Sequence, residues 1–204
     1  MAEAKKVDRR IQRTRTLLRD ALMRLIIRKG YDEITIQDIT DEANVARTTF
    51  YLHFTDKDEL LFGTMRDIYE ELYQAIGGEM SKSFYSDDEN DCMAEDFRHV
   101  QEYSAFYKIM LSERGSAAFL ARVRQYLAEA IMDIAFKGVV PEGKDARVPP
   151  EMMSYAMAGA QIGVIKWWLD NGMQESPQRV SFMFEQLMKR GLAWGLNLEE
   201  EENS

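Results

Sequence analysis

The chain of 204 residues has one cysteine, four prolines and twelve glycines. A lone thiol, Cys92, excludes an internal disulfide framework and any multi-cysteine zinc site, and it points to a reducing compartment. So little proline and glycine excludes collagen-like and low-complexity chains and disfavours a turn-rich all-β protein. The two histidines, His53 and His99, have no neighbouring cysteine or second histidine, so no metal and no cofactor is expected. Catalytic signatures are missing as well. There is no G-x-S-x-G, no G-x-x-x-x-G-K-[ST] (Lys144 of GVVPEGK is followed by Asp145) and no G-x-G-x-x-G, and the acidic run Asp87, Asp88, Glu89 reads as solvated loop charge. An enzyme is not expected. The opening MAEAKKVDRR carries no apolar signal stretch, which sets a cytoplasmic expectation. The longest apolar run, Met152 to Leu169, is broken by Ser154, Gln161 and Lys166 and falls short of the roughly 20 residues a membrane span needs. It is expected between helices of a soluble assembly, with no membrane partner.

What remains suits a folded, soluble chain: 46% hydrophobic residues for a core and 30% charged residues for its surface. Net charge is −9, unevenly spread. Residues 1–29 hold ten basic side chains against three acids, a surplus of +7, whereas residues 61–204 carry −10. A basic pole on an acidic body steers one end toward polyanions, although the same charges also suit a solvated helix face.

Periodicity predicts helices nearly throughout, an all-α fold. Val7, Ile11, Leu18, Leu22, Leu25 and Ile26 form one stripe on a helix that Lys29-Gly30 ends. Thr35 and Asp38 form a capping-box-like pair opening a short helix whose inner face is Ile36, Ile39 and Ala43. Asn44-Val45 is a tight turn, and a second short helix spans Arg47 to His53. Asp56 and Glu59 open a long helix over residues 57–76. Breaks follow at Gly77-Gly78 and Ser86 to Asp91. Helices resume over residues 97–111 and 117–136, a loop covers 138–150, an apolar helix covers 151–170, and Ser176-Pro177 opens the last one. The acidic tail Glu199–Glu202 reads as frayed.

Two short helices about Asn44 have the length and turn of a helix-turn-helix, whose second helix enters the major groove of DNA. Arg47, Thr48, Thr49, Tyr51 and His53 crowd donors onto two turns, while Phe50 and Phe54 are suited to anchor them. A partly buried polar helix in any bundle has a similar pattern. The stretch TIQDITDEANVARTTFYLHFTDKDELL, and Phe50-Tyr51-Leu52-His53-Phe54 above all, resembles the TetR-family DNA-binding domain over Arg9 to Leu61. More distally, GAQIGVIKWWLDNGMQESP is similar to the penultimate helix and loop of one TetR C-terminal subgroup. The resemblance implies a dimeric regulator, usually a repressor, that binds a double-stranded DNA operator and leaves it when a small-molecule effector binds. It implies a DNA-binding domain over 1–56 and a helical ligand-binding and dimerisation domain over 57–204. Carried over by position, Thr35 becomes a phosphate-contacting cap, and Arg47, Thr48 and Thr49 become base and nearby backbone contacts. Tyr51 and His53 become phosphate contacts, and Lys57 faces the DNA backbone. Ala46 and Asn44 depart from the family's usual capping Ser and turn Gly. An Ala cap costs about 1 kcal/mol.

For the homodimer, Gly159 and Gly163 let a second helix approach, and Val180, Met183, Phe184, Leu187, Met188, Gly191 and Trp194 form a matching stripe on the last helix. An intrachain core would use the same pattern. Tyr103, Phe106, Tyr107, Met110, Met157, Gln161 and Trp168 are the candidate lining of a ligand cavity, though aromatics and methionines at helical spacing also suit plain core. A second reading keeps the fold and makes the C-terminal half an adaptor that binds a protein partner, as in TetR-like co-activators.

Overall fold

The computed structural model describes residues 2–76, 94–136 and 146–195. Every regular element among the described residues is helical. In chain order these are α1 (Ala2–Lys29), α2 (Ile36–Ala43), α3 (Arg47–Tyr51), α4 (Lys57–Ile76), α5 (Ala94–Glu102), α6 (Ser104–Met110), α7 (Ala117–Ile131), α8 (Pro150–Asp170) and α9 (Pro177–Gly195). A single π-helical turn, Met132–Phe136, continues α7. The expected breaks at Gly77-Gly78 and Ser86–Asp91, Cys92, most of the 138–150 loop and the tail Glu199–Glu202 lie outside the described residues.

The chain divides into two compact units, Met1–Glu70 with Ala105–Leu120, and Glu71–Ser104 with Ala121–Ser204. In the first, Leu18, Leu22 and Ile26 of α1, Ile39 of α2, Phe50 of α3 and Leu60 and Leu61 of α4 are all buried. Each such side chain contributes about 1.5–3 kcal/mol on leaving water. Gly30 ends α1 with φ +80, a left-handed conformation that only glycine adopts without strain. Its neighbour Tyr31 ties in the 105–120 segment: the Tyr31 amide donates to the Arg114 carbonyl at 3.3 Å. Gly115 makes that segment's turn feasible, because a Cβ there would sit 2.1 Å from the Met110 carbonyl oxygen.

In the second unit the Phe97 ring meets Trp168 edge-on at 5.8 Å, and Val100, Ile165, Leu169, Val180 and Phe184 are buried. Trp168 Nε1 donates to the Glu175 carbonyl at 2.9 Å, which closes the α8–α9 turn. Phe136, Met153 and Met157 form a second cluster. Ser176 caps α9 by accepting from the Arg179 amide at 3.2 Å, with Pro177 at the first helical position.

Two expectations change. The single helix over 97–111 is split at Tyr103, because its first part packs in the second unit and its remainder counts with the first. Helix α3 stops at Tyr51 rather than His53, with Leu52 as its C-cap and the His53 and Phe54 amides both turned onto the Phe50 carbonyl.

Candidate nucleic-acid interface

The N-terminus of α2 is closed by a full capping box. Thr35 Oγ1 accepts from the Asp38 amide at 3.2 Å, while the Asp38 carboxylate accepts from the Thr35 amide at 2.7 Å and its hydroxyl at 2.6 Å. Lys29 adds an ion pair to Asp38 at 3.0 Å. The Thr35 hydrogen bonds, then Lys29, hold the Asp38 carboxyl well below the usual carboxylate range. Asn44 then takes the left-handed conformation at φ 53, ψ 49 and turns the chain into α3. As expected, Ala46 gives α3 no side-chain cap.

Five residues of helix are too few to hold themselves, so tertiary contacts must hold α3. Phe50 supplies them: it is fully buried and stacks edge-on with Tyr51 at 5.6 Å and tilted with Phe54 at 5.9 Å. Around that anchor, Arg47, Thr48, Tyr51 and Leu52 project outward, and Thr49 and His53 are half-buried. Arg47 lies across the Tyr51 ring at 5.8 Å and donates to its hydroxyl at 3.3 Å, which steadies two long side chains on one face. Burial, and behind it the Arg15 charge, pushes the His53 imidazole below its ordinary value.

Two of the carried-over positions are occupied otherwise. Both donors of Thr35 go to Asp38, as just described. Lys57 Nζ donates to the carbonyls of Tyr31 at 3.1 Å, Asp32 at 3.4 Å and Ile34 at 3.0 Å, and rests 4.4 Å from the Tyr31 ring centroid. An ammonium has three hydrogens, and all three are engaged by the α1–α2 loop. Tyr31 also donates its hydroxyl to Asp58, fastening the same loop to the start of α4. Glu59, expected to complete a box with Asp56, accepts instead from Thr55, while Asp56 caps the Glu59 amide at 2.7 Å.

Sequence reasoning passed over Leu52 and Arg15. Leu52 is 80% exposed, a large apolar side chain one helical turn from Thr48. Its signal was available in the spacing: positions 47, 48, 51 and 52 share a face. Arg15 stacks its guanidinium 5.4 Å from the Phe54 ring, an arrangement made across the fold and invisible to spacing.

The expected ligand set divides between the units. Phe106, Tyr107 and Met110 are buried in the first. In the second, Met157 and Trp168 are core, Gln161 is buried with its amide donating to Asp96 at 3.1 Å, and Tyr103 is half-buried against the His99 ring at 4.6 Å. Of the expected dimer stripe, Val180 and Phe184 are 1% and 2% exposed, so they serve the chain's own core and have no surface left for a partner. Met183 and Met188 are half-buried, Leu187 is 64% exposed, and a Cβ on Gly159 or Gly163 would meet nothing within 4 Å. Gly191 and Trp194 fall outside the residues whose side chains are described. None of the described helices is long and apolar enough to cross a membrane.

Known proteins are similar to this chain in sequence and in fold. A family model described as bacterial regulatory proteins, tetR family, matches residues 18–64, and one described as a transcriptional regulator C-terminal region matches residues 87–190. The chain is similar to the uncharacterized HTH-type transcriptional regulator YxbF of Bacillus subtilis, 25% identical over 189 residues and covering 90% of this chain. It spans 47% of that relative's length. In fold it resembles a TetR transcriptional regulator from Streptococcus agalactiae, with TM-score 0.61, 22% identity, and 91% of this chain and 98% of the other covered. It also resembles FadR from Bacillus subtilis in complex with stearoyl-CoA, with TM-score 0.52, 19% identity, and 86% and 98% coverage.

Proposed function

The chain belongs to the TetR family of bacterial transcriptional regulators, with a helix-turn-helix for DNA, and on that premise we propose that it is a homodimeric repressor of an inverted-repeat operator, released by a small molecule. The observation that carries this is α3 itself: one short helix pinned by a buried Phe50 while Arg47, Thr48, Tyr51 and Leu52 face outward together. Arg47 suits a guanine edge, the Thr48 hydroxyl a base or phosphate, and the Leu52 methyls a thymine methyl group. Thr49, Tyr51 and His53 supply further donors to the backbone. Thr35 and Lys57 act indirectly, by fixing the α2 cap and the loop beneath it.

The dimer forms through the outward faces of α8 and α9. Met152, Tyr155 and Trp167 of α8 and Phe182 and Leu187 of α9 are exposed, with Gly159 and Gly163 leaving room for close approach between them. Such a face, apolar and centred on glycines, supports burial against its own copy. Two recognition helices then meet grooves about 34–36 Å apart or a multiple of that. The effector acts from the helical C-terminal half, where Tyr103 is half-buried beside His99 and Gln161 meets Asp96. It releases DNA only by binding the DNA-incompetent spacing more tightly.

Selection of genomic fragments by the purified protein tests this. Enrichment of an inverted repeat is the expected outcome, with Arg47→Ala changing base preference and Tyr51→Ala weakening all sequences alike. No enriched repeat, or a chain that sediments as a monomer at every concentration, would sink the reading. Native mass spectrometry separates an effector from a protein partner: a small co-purifying molecule supports release by ligand, and a stoichiometric protein supports the adaptor.

A further inference from the structure

Helix α1 is laid antiparallel along the DNA-reading unit. Lys29 pairs with Asp38 near the start of α2, and Arg24 at 2.8 Å, together with Arg28, pairs with Glu42 near its end. Farther back, Arg15 meets Phe54 just beyond α3. The helix does not stop there. Arg9 lies six residues before Arg15, about 9 Å farther along the axis at 1.5 Å per residue. Every residue from Arg9 to Arg13 is exposed, so this length of helix draws no core packing from its own chain.

Its charge pattern differs from that of the rest of α1. Between Asp8 and Asp20 there are five arginines and no acid. Arg19 pairs with Asp20 at 3.1 Å and Arg15 is stacked on Phe54. Arg9, Arg10 and Arg13 have no ion pair among the described residues, and all three are exposed. By helical phase they fall on the side that carries Arg24 and Arg28 farther down. Where that side passes α2, acids neutralise it. Where it passes beyond α3, three guanidinium groups stand together unanswered. An unpacked helical stretch is marginal in water, and like charges at i,i+4 weaken it further. A polyanion lying along it removes both penalties.

We infer that Arg9, Arg10 and Arg13 of α1 form a second DNA contact, binding the phosphates that flank the half-site read by α3. The inference rests on the regulator reading above, since it places the flanking duplex by the groove that α3 enters. Guanidinium forks suit phosphate oxygens bidentately, so these arginines add affinity and salt dependence without reading bases. The basic pole visible in the sequence thereby separates into two parts. Arg24, Arg28 and Lys29 brace α2, and the three upstream arginines extend the footprint.

The test uses the full chain and the inverted repeat it selects, prepared both bare and with about ten base pairs, or one helical turn, added on each side. Wild type is expected to bind the longer duplex more tightly. In R9A/R10A/R13A that gain disappears, binding at 0.1 M salt weakens by about tenfold or more, and the slope of log Kobs against log salt falls by about 0.9 for each phosphate that an arginine no longer neutralises. Half-site preference stays unchanged. Alanine on an exposed helical stripe raises helix propensity, so the variant keeps its fold, and R9K/R10K/R13K retains most of the slope. Wild-type slope and wild-type length dependence in the alanine variant would overturn the role of α1 while leaving the regulator reading intact. A wild-type chain that selects no DNA would overturn both.

Discussion

The part-buried pair Asp96–Gln161 gives a prediction whose sign and size both follow from the structure. Asp96 stands on α5 and accepts from Gln161 Nε2 of α8 at 3.1 Å. Burial is the leading cause that pushes its carboxyl up from 3.8 to about 6; the nearby Glu95 adds to the rise, and the Gln161 donor opposes it. The folded chain therefore holds this proton more tightly than the unfolded chain does. The resulting stabilisation is complete below about pH 3.8, declines as pH rises through about 6, and is gone above that. A rise of that size corresponds to about 3 kcal/mol between the neutral and ionised forms, and the partial exposure of the residue reduces the expected effect to about 1–2 kcal/mol. Asp96→Asn keeps the shape, accepts from Gln161 through its amide oxygen and carries no charge. The variant should gain that 1–2 kcal/mol at about pH 7.5 and nothing at about pH 3.5, read by urea unfolding at fixed protein concentration. Other carboxylates cancel in the difference between variant and wild type. A variant less stable than wild type at the higher pH, or one whose gain is the same at both, would refute the reasoning.

Lys57→Met leaves the carbonyls of Tyr31, Asp32 and Ile34 without their charged donor and should cost about 2–3 kcal/mol in urea unfolding; its DNA affinity should fall only as far as stability does. Gly115→Ala forces a Cβ to within 2.1 Å of the Met110 carbonyl, so the turn must rearrange, with a loss above about 3 kcal/mol and faster amide exchange at Tyr31. Asn44 at φ 53 should accept Gly at little cost, whereas Asn44→Val should lower stability by about 1–2 kcal/mol and weaken operator binding through a misaimed α3. Equal melting temperatures for the two Asn44 variants would show that the turn imposes no left-handed requirement.

Local signals were legible and tertiary ones were not. The Thr35–Asp38 box, the Asn44 turn, the uncapped Ala46 and the Ser176-Pro177 start each depend on residues within four positions of one another, so residue type and spacing were sufficient. That same box engages the Thr35 amide and hydroxyl with Asp38, a pairing that the spacing of the two residues already contained. For Lys57 no such warning existed. Its partners are backbone carbonyls 23 to 26 residues upstream, and a carbonyl has no side-chain signature. Helix α8 shows a different limit. Apolar residues occupy all of its faces, so periodicity could not say which of them meets the core, and Val180 and Phe184 of α9 were assigned outward when the fold turns them inward.

The segment 105–120 has the strongest consequence for how the molecule is assembled. Helices α1 to α3 read as a self-sufficient module, with all their caps and anchors in one stretch of chain. In the fold, the loop that closes that module is held on one side by Lys57 and on the other by the Arg114 carbonyl. Phe106 and Met110, both 2% exposed, are buried within the same unit. A fragment ending at residue 70 keeps every residue expected to touch DNA and lacks this segment. It should unfold at lower urea than the full chain and exchange the Tyr31 amide freely, while an added 105–120 segment on a short linker should restore protection. If the fragment alone matches the full chain's protection at Tyr31, the Arg114 carbonyl contributes nothing, and the DNA-reading unit is complete before the chain reaches α5.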